Sequence, residues 1–156
     1  MEKEKKIILE GPDGSGKTTL ANTLRQKYPT LDIADRSFIS DRVYIQKFER
    51  TEYLGVDSKT YLSYWEQFHK NNLNVKVVLC IADEKVLYER CLAKNDPIVK
   101  DMSKDLAKLA LIADMNLFIN WSYEVCNRLN MPLLVVHTDK DIKDTLKEIE
   151  DFINDR

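Results

Sequence analysis

The stretch "LEGPDGSGKTTL", residues 9–20, gathers three of the chain's four glycines around one lysine. It lies between the apolar run "KKIILE" (5–10) and a segment, 17–27, in which Leu20, Ala21 and Leu24 share one helical face. A short apolar run flanked by charge and closed by glycine suits a buried parallel strand. The unit therefore reads as strand, tight turn, helix, and few folds accommodate a turn so rich in glycine at that junction.

Gly11-Pro12-Asp13-Gly14-Ser15-Gly16-Lys17-Thr18 fits G-x-x-x-x-G-K-[ST], a phosphate-binding loop. Glycine lets successive backbone N–H groups curl inward with no Cβ in the way, which makes a nest for anionic oxygens. The helix starting near Lys17 aims the positive end of its dipole at the same oxygens. Lys17 is placed to neutralise β- and γ-phosphates, and the Thr18 hydroxyl to ligate Mg²⁺. A merely flexible turn needs none of these residues. ATP and Mg²⁺ are the expected cofactors, held by Pro12, Asp13, Gly14, Ser15, Gly16, Lys17, Thr18 and Thr19.

Three more apolar runs follow: "TLDIAD" (30–35), "NVKVVLCIA" (74–82) and "MPLLVVHT" (131–138). Helical patterns are expected over 41–52, 58–70, 83–94 with Asp83 as N-cap, 101–130 and 139–153. The 101–130 pattern is marked by Met102, Leu106, Leu109, Ala113, Leu117 and Trp121, with a break expected near Asn116. The last helix carries Ile142, Leu146, Ile149, Phe152 and Ile153 on one side. Strands alternating with helices predict an α/β fold, a three-layer P-loop NTPase with a short, mostly parallel sheet flanked by helices, over a single domain spanning residues 1–156. Ligands of such sheets bind beyond the carboxyl ends of the strands, so Gly11, Asp35 and Ala82 should converge. There Asp35 can hold Mg²⁺ through water or take a proton from an attacking hydroxyl; the alternative is a turn acid at the surface.

Composition narrows the partners. The net charge of −2 comes with lysines and acids interspersed, without the basic stripe of a duplex-DNA binder. A small-molecule nucleoside or nucleotide acceptor is favoured over a polymer, with DNA the less favoured partner and a homodimer an allowed assembly. No apolar run reaches membrane-spanning length, and "MEKEKK" lacks the apolar stretch of a signal peptide, so a cytoplasmic location is expected. Cys80, Cys91 and Cys126 share no metal-ligand spacing and read as free buried thiols. His69 and His137 read as incidental.

The sequence resembles the thymidylate kinases and deoxynucleoside kinases. "LEGPDGSGKTT" looks like the first motif of thymidylate kinases, including the acid at Asp13, which in that family faces the acceptor sugar. "DRSFISDRVY" (35–44) is similar to the thymidylate kinase Asp-Arg segment and closer to the Glu-Arg-Ser segment of deoxynucleoside kinases. "TEYLGVDSKTYLSYWEQF" resembles the aromatic-rich helices of deoxynucleoside kinases, and "VVLCIADEKVLYERCLAKND" the strand and lid-leading helix of both families. The resemblance implies acceptor contacts from Asp13, Arg36, Ser40, Asp41, Arg42 and Tyr44; for Asp13 the alternative is a loop-capping role. The Arg36 guanidinium can stabilise the transferring phosphoryl group, hold an acceptor phosphate or form a salt bridge to a neighbour. It implies a basic lid at Arg90 and Lys94, which lie four apart on one helix face. The next lid arginine of the family matches Asp96 here, so the lid is reduced or displaced. Tyr61, Tyr64, Trp65 and Phe68 recur at helical spacing, as core residues or, for one of them, a base-stacking ring.

Both families insert a strand and helices between the loop helix and the Asp-Arg strand; here only residues 28–31 intervene. That insert carries acceptor contacts, so the acceptor stays open. The leading expectation is an ATP-dependent phosphotransferase acting on a deoxynucleoside or deoxynucleoside monophosphate. The alternatives are a kinase acting on DNA, at a polynucleotide end or a modified base such as hydroxymethyluracil, and a nucleotide-binding regulator or ATPase without an acceptor.

Overall fold

The computed structural model describes residues 5–48, 63, 67 and 74–154. Most of the helical segment expected at 58–70, including Tyr61, Tyr64, Trp65, Phe68 and His69, lies outside the described residues, as do residues 49–52; the two described positions within it, Ser63 and Gln67, are helical. Four strands, β1 (Lys6–Glu10), β2 (Asp32–Asp35), β3 (Val75–Ile81) and β4 (Leu133–His137), form one sheet in the order β2-β1-β3-β4. Every pairing is parallel, and Leu9 stands opposite both Asp35 and Val78. β1 is a central strand, and its residues Ile7 to Glu10 are all buried.

The helices with described bounds are α1 (Lys17–Lys27), α2 (Phe38–Phe48), α3 (Glu84–Ala93), the single turn α4 (Pro97–Lys100), α5 (Lys104–Leu129) and α6 (Ile142–Ile153). Successive strand residues point to opposite faces, and β1 shows it. Ile7 and Leu9 pack with Leu20, Leu24 and Ile149 under α1 and α6, while Ile8 packs with Ile39, Val43, Phe118 and Val125 under α2 and α5. A third cluster joins Leu87, Cys91, Val99, Ala107 and Leu111 beneath α3, α4 and α5. Burying each such aliphatic or aromatic side chain is worth about 1.5–3 kcal/mol, and two filled faces make the three layers.

Several expectations are corrected. The helix expected from residue 41 begins at Phe38. α5 is unbroken through Asn116. It starts where the Ser103 hydroxyl accepts from the Leu106 N–H, and it ends at Asn130 in the left-handed conformation, φ 55°. Its buried face is Ala107, Leu111, Asp114, Phe118, Ser122 and Val125, whereas Met102, Leu106 and Leu109 are 41%, 54% and 63% exposed and Ala113 is exposed. The N-terminal half of this helix is apolar on both arcs, and packing against α2 and α3 selects one of them. α6 starts at Ile142 because Asp141, not Asp139, accepts from the Lys143 N–H. Asp83 caps α3 through the Lys85 N–H, as expected. Cys80, Cys91 and Cys126 are free and buried. Among the described residues, no helix is long and apolar enough to cross a membrane.

Candidate active site

The carboxyl ends of β1, β2 and β3 lie side by side, and the glycine-rich loop leaves the first of them. Gly11 has φ 154°, and a Cβ there would stand 2.4 Å from the Cys80 carbonyl oxygen of β3. Gly16 has φ 82° and precedes the first residue of α1, so the chain enters the helix through a left-handed residue. The Ser15 N–H donates to the Pro12 carbonyl at 3.1 Å, closing the turn, and the Ser15 side chain is buried. Gly11→Ala is expected to destabilise the fold by about 3 kcal/mol, because backbone faces the added methyl and cannot give way. Urea unfolding checks it, and an unchanged midpoint would refute the close packing.

Lys17 is only 6% exposed. Burial holds its ammonium below the ordinary lysine range and Arg36 adds to this, while Asp35, Asp13 and Glu10 pull the other way. The Thr18 hydroxyl donates to Asp35 Oδ2 at 2.9 Å. Asp35 Oδ1 is buried and has no hydrogen-bond partner among the described residues. A buried carboxylate oxygen rarely goes unsatisfied. Beside a hydroxyl and a buried lysine, it is one of the oxygen donors a hard cation such as Mg²⁺ takes. The donor set therefore fits Mg²⁺.

Arg36 follows Asp35 in the left-handed region, φ 76°, an unusual place for a non-glycine residue. Its Nη2 donates to Asp13 Oδ1 at 2.8 Å, its Nη1 to Ser40 Oγ at 3.5 Å, and its guanidinium lies 5.4 Å from the Tyr44 ring centroid. Asp13, Arg36, Ser40 and Tyr44, four of the residues expected on the acceptor side, thus converge. Arg42 lies elsewhere. Asp41 is half-buried on α2, and Arg42 is buried with its guanidinium 4.0 Å from the Trp121 ring centroid, in the seam between α2 and α5.

Arg90 reaches back across the loop instead of extending into solvent. Its Nη1 donates to the Gly14 carbonyl at 3.1 Å and to Thr138 Oγ1 at 2.9 Å, and its Nη2 to the Thr138 carbonyl at 2.6 Å. The Thr138 hydroxyl donates in turn to the Ser15 carbonyl. Lys94 is exposed at the end of α3. It borders two adjoining clefts, of about 360 Å³ and about 160 Å³. The larger runs from Gly16 and Thr19 past Arg90 to Thr138, Lys140 and Ile142. The smaller holds Asp13 to Thr19, Arg36 and Asp96. Together they suit a base and sugar leading to a phosphate chain.

Glu10 is a site residue that reading the sequence missed. It is fully buried at the end of β1 and accepts from the Ser37 hydroxyl at 2.6 Å and from the Ser40 hydroxyl. Burial pushes its carboxyl up to about 7, against the opposing pull of the two serines and Arg36. The available signal was a lone acid at the sheet-buried end of an apolar run. The sequence reading also missed the ion pair of Lys47 and Asp114, 2.7 Å apart between α2 and α5.

No family model and no curated protein matches the sequence. Solved structures do. The Bacillus subtilis YorR protein, in complex with phosphorylated GDP, is 21% identical with a TM-score of 0.65, over 96% of this chain and 95% of that one. Deoxyadenosine kinase from M. mycoides with bound dCTP is 15% identical with a TM-score of 0.64, over 97% and 100% of the two chains. The same enzyme with the products dCMP and dCDP gives 15% and 0.62, over 96% and 98%. A four-stranded parallel sheet with a glycine-rich loop after its central strand, matched along nearly the whole chain by these structures, is an α/β fold that this chain shares with those kinase structures.

Proposed function

We propose that this chain is an ATP-dependent phosphotransferase whose acceptor is a deoxynucleoside or deoxynucleoside monophosphate. The observation that carries the reading is the group formed by Lys17, Thr18 and Asp35: a buried lysine, and a hydroxyl 2.9 Å from a carboxylate whose other oxygen has no partner among the described residues. Arg36 and Asp13 flank it. The structural relatives support the same class, since one is a deoxyadenosine kinase and another is described with a phosphorylated nucleotide.

In this reading the loop N–H groups and Lys17 hold the β- and γ-phosphates of the donor, with the base in the larger cleft near Thr138 and Lys140. Thr18 and Asp35 would hold Mg²⁺, which supplies charge neutralisation on the phosphate oxygens. Arg90 fixes the loop carbonyls, so the nest keeps its shape, and Lys94 stands exposed where the two clefts meet. Arg36 and Tyr44 present a cation and a ring on the acceptor side. Asp13 neutralises Arg36 until an acceptor phosphate or hydroxyl competes for it.

A transfer assay with γ-labelled ATP over deoxynucleosides, deoxynucleoside monophosphates and DNA oligomers tests the proposal. Label is expected on a nucleoside or nucleotide. A single-stranded polymer held by its phosphates would show a salt slope of roughly −0.7 per contact. With a net charge of −2, no oligonucleotide binding is expected at physiological salt. Tight, salt-sensitive oligomer binding would replace this acceptor with DNA.

A further inference from the structure

We propose that Glu10 is a positioning residue of the transfer site, holding Arg36 in place through the hydroxyls of Ser37 and Ser40. The proposal rests on the phosphotransferase reading for its catalytic meaning, though not for its geometry.

Glu10 occupies the last position of the central strand, on the face shared with Ile8, which packs with Ile39 and Val43 of α2. A fully buried carboxylate is expensive to desolvate, so its presence calls for a task. Three donors converge on it: the Ser37 hydroxyl, the Ser40 hydroxyl and, at 3.4 Å, the Ser40 N–H. All three belong to the segment immediately after Arg36. Ser37 also accepts from the Ile39 N–H at 3.4 Å, so the same contact anchors the start of α2.

Arg36 needs such an anchor. Its left-handed backbone is held by the Arg36 N–H donating to the Leu9 carbonyl at 3.0 Å, and strain of this kind persists only where the surroundings over-determine it. The ionised carboxylate takes the hydroxyl protons of both serines. Ser40 Oγ then has only lone pairs to offer Arg36 Nη1, at 3.5 Å. Arg36 in turn reaches Asp13 in the phosphate loop. The relay Glu10–Ser40–Arg36–Asp13 therefore ties the strand before the loop to the variable part of the loop itself, through the acceptor-side segment.

Glu10→Gln keeps the size and one acceptor oxygen. Its NH₂ must donate to one serine, and where that serine is Ser40 the hydroxyl proton turns toward the guanidinium, setting donor against donor. The charge opposing Arg36 is lost as well. The charged groups facing Glu10 are Arg36 from the turn and Lys17 from α1. The thiols near it, Cys80 on β3 and Cys126 on α5, are pushed up to about 12 and stay neutral.

Three measurements on Glu10→Gln and Ser40→Ala decide the matter. The Arg36 Nε–H resonance, assigned with Arg36→Lys, is expected to shift and lose exchange protection in both variants. The acceptor KM should rise about tenfold through misplacement of the guanidinium, with ATP affinity within about twofold of wild type. Thermal stability separates positioning from simple structure. The folded-state pKa of Glu10 lies above its ordinary value, from 4.5 to about 7. The native chain therefore binds this proton more tightly than the unfolded one, and stability falls as pH rises through that window. At pH 8 Glu10→Gln should thus melt no lower than wild type. An unchanged Arg36 resonance and acceptor KM would overturn the proposal, as would a lower melting temperature with ATP affinity lost in step. If wild type transfers phosphate to no acceptor, the phosphotransferase reading fails separately, and the Arg36 resonance alone decides whether Glu10 positions it.

Discussion

Lys17→Ala is expected to reduce phosphate transfer by about 10³-fold or more while leaving the fold intact. Phosphoryl transfer asks little covalent chemistry of the protein, so catalysis rests on positioning and on charge placed against the phosphate oxygens. Lys17 is the loop's one cation, buried at the start of α1 beside Asp35 and Asp13. A desolvated ammonium interacts more strongly with a bound phosphate than the same group in water. Burial already holds its pKa down, so the native chain gains little by keeping it charged when no anion is bound. Removing it takes away a desolvated charge, and the hydrophobic clusters on the two sheet faces do not depend on it. Circular dichroism and the melting temperature should stay close to wild type, with weaker binding of ATP. Turnover near the wild-type rate would remove the assignment of the loop.

The difference between what the chain discloses and what it hides follows the range of the interactions. The glycine-rich loop was legible because its shape is set by its own backbone, and glycine at Gly11 and Gly16 is required by local geometry. The strands were legible because apolar runs bounded by charge or glycine have few other uses, and β1 to β4 fall within the expected segments. α2 starts earlier than its own pattern suggests because Ser37 anchors it through Glu10, 27 residues away. The buried face of α5 could not be chosen locally, since Leu106 and Leu109 compete with Ala107 and Leu111 for the core. The acceptor side follows the same logic: Arg36 was visible from its motif, but its contact with Asp13, 23 residues away, is a product of the assembled sheet. Glu10 was hidden because one acid in an apolar strand reads as the strand's end, and only the return of α2 over it gives it partners.

Asp35→Asn is expected to lower kcat by about 10²-fold or more, with ATP affinity changed much less. That pattern marks a group acting mainly in the transition state. The asparagine keeps the shape and can still accept the Thr18 hydroxyl, so the 2.9 Å contact survives; what disappears is the negative charge and the second carboxylate oxygen. That oxygen, Oδ1, is the one with no partner among the described residues, so the loss falls on whatever it is placed to hold. Two roles predict different controls. A metal organiser should show a higher Mg²⁺ requirement in Asp35→Asn, with part of the rate recovered at saturating Mg²⁺. A general base should leave the Mg²⁺ requirement alone, with no rate recovered at saturating Mg²⁺. The bond to Thr18, the residue expected to ligate Mg²⁺, favours the first outcome. An Asp35→Asn protein with wild-type turnover would end both roles and leave the carboxylate as a structural partner of Thr18.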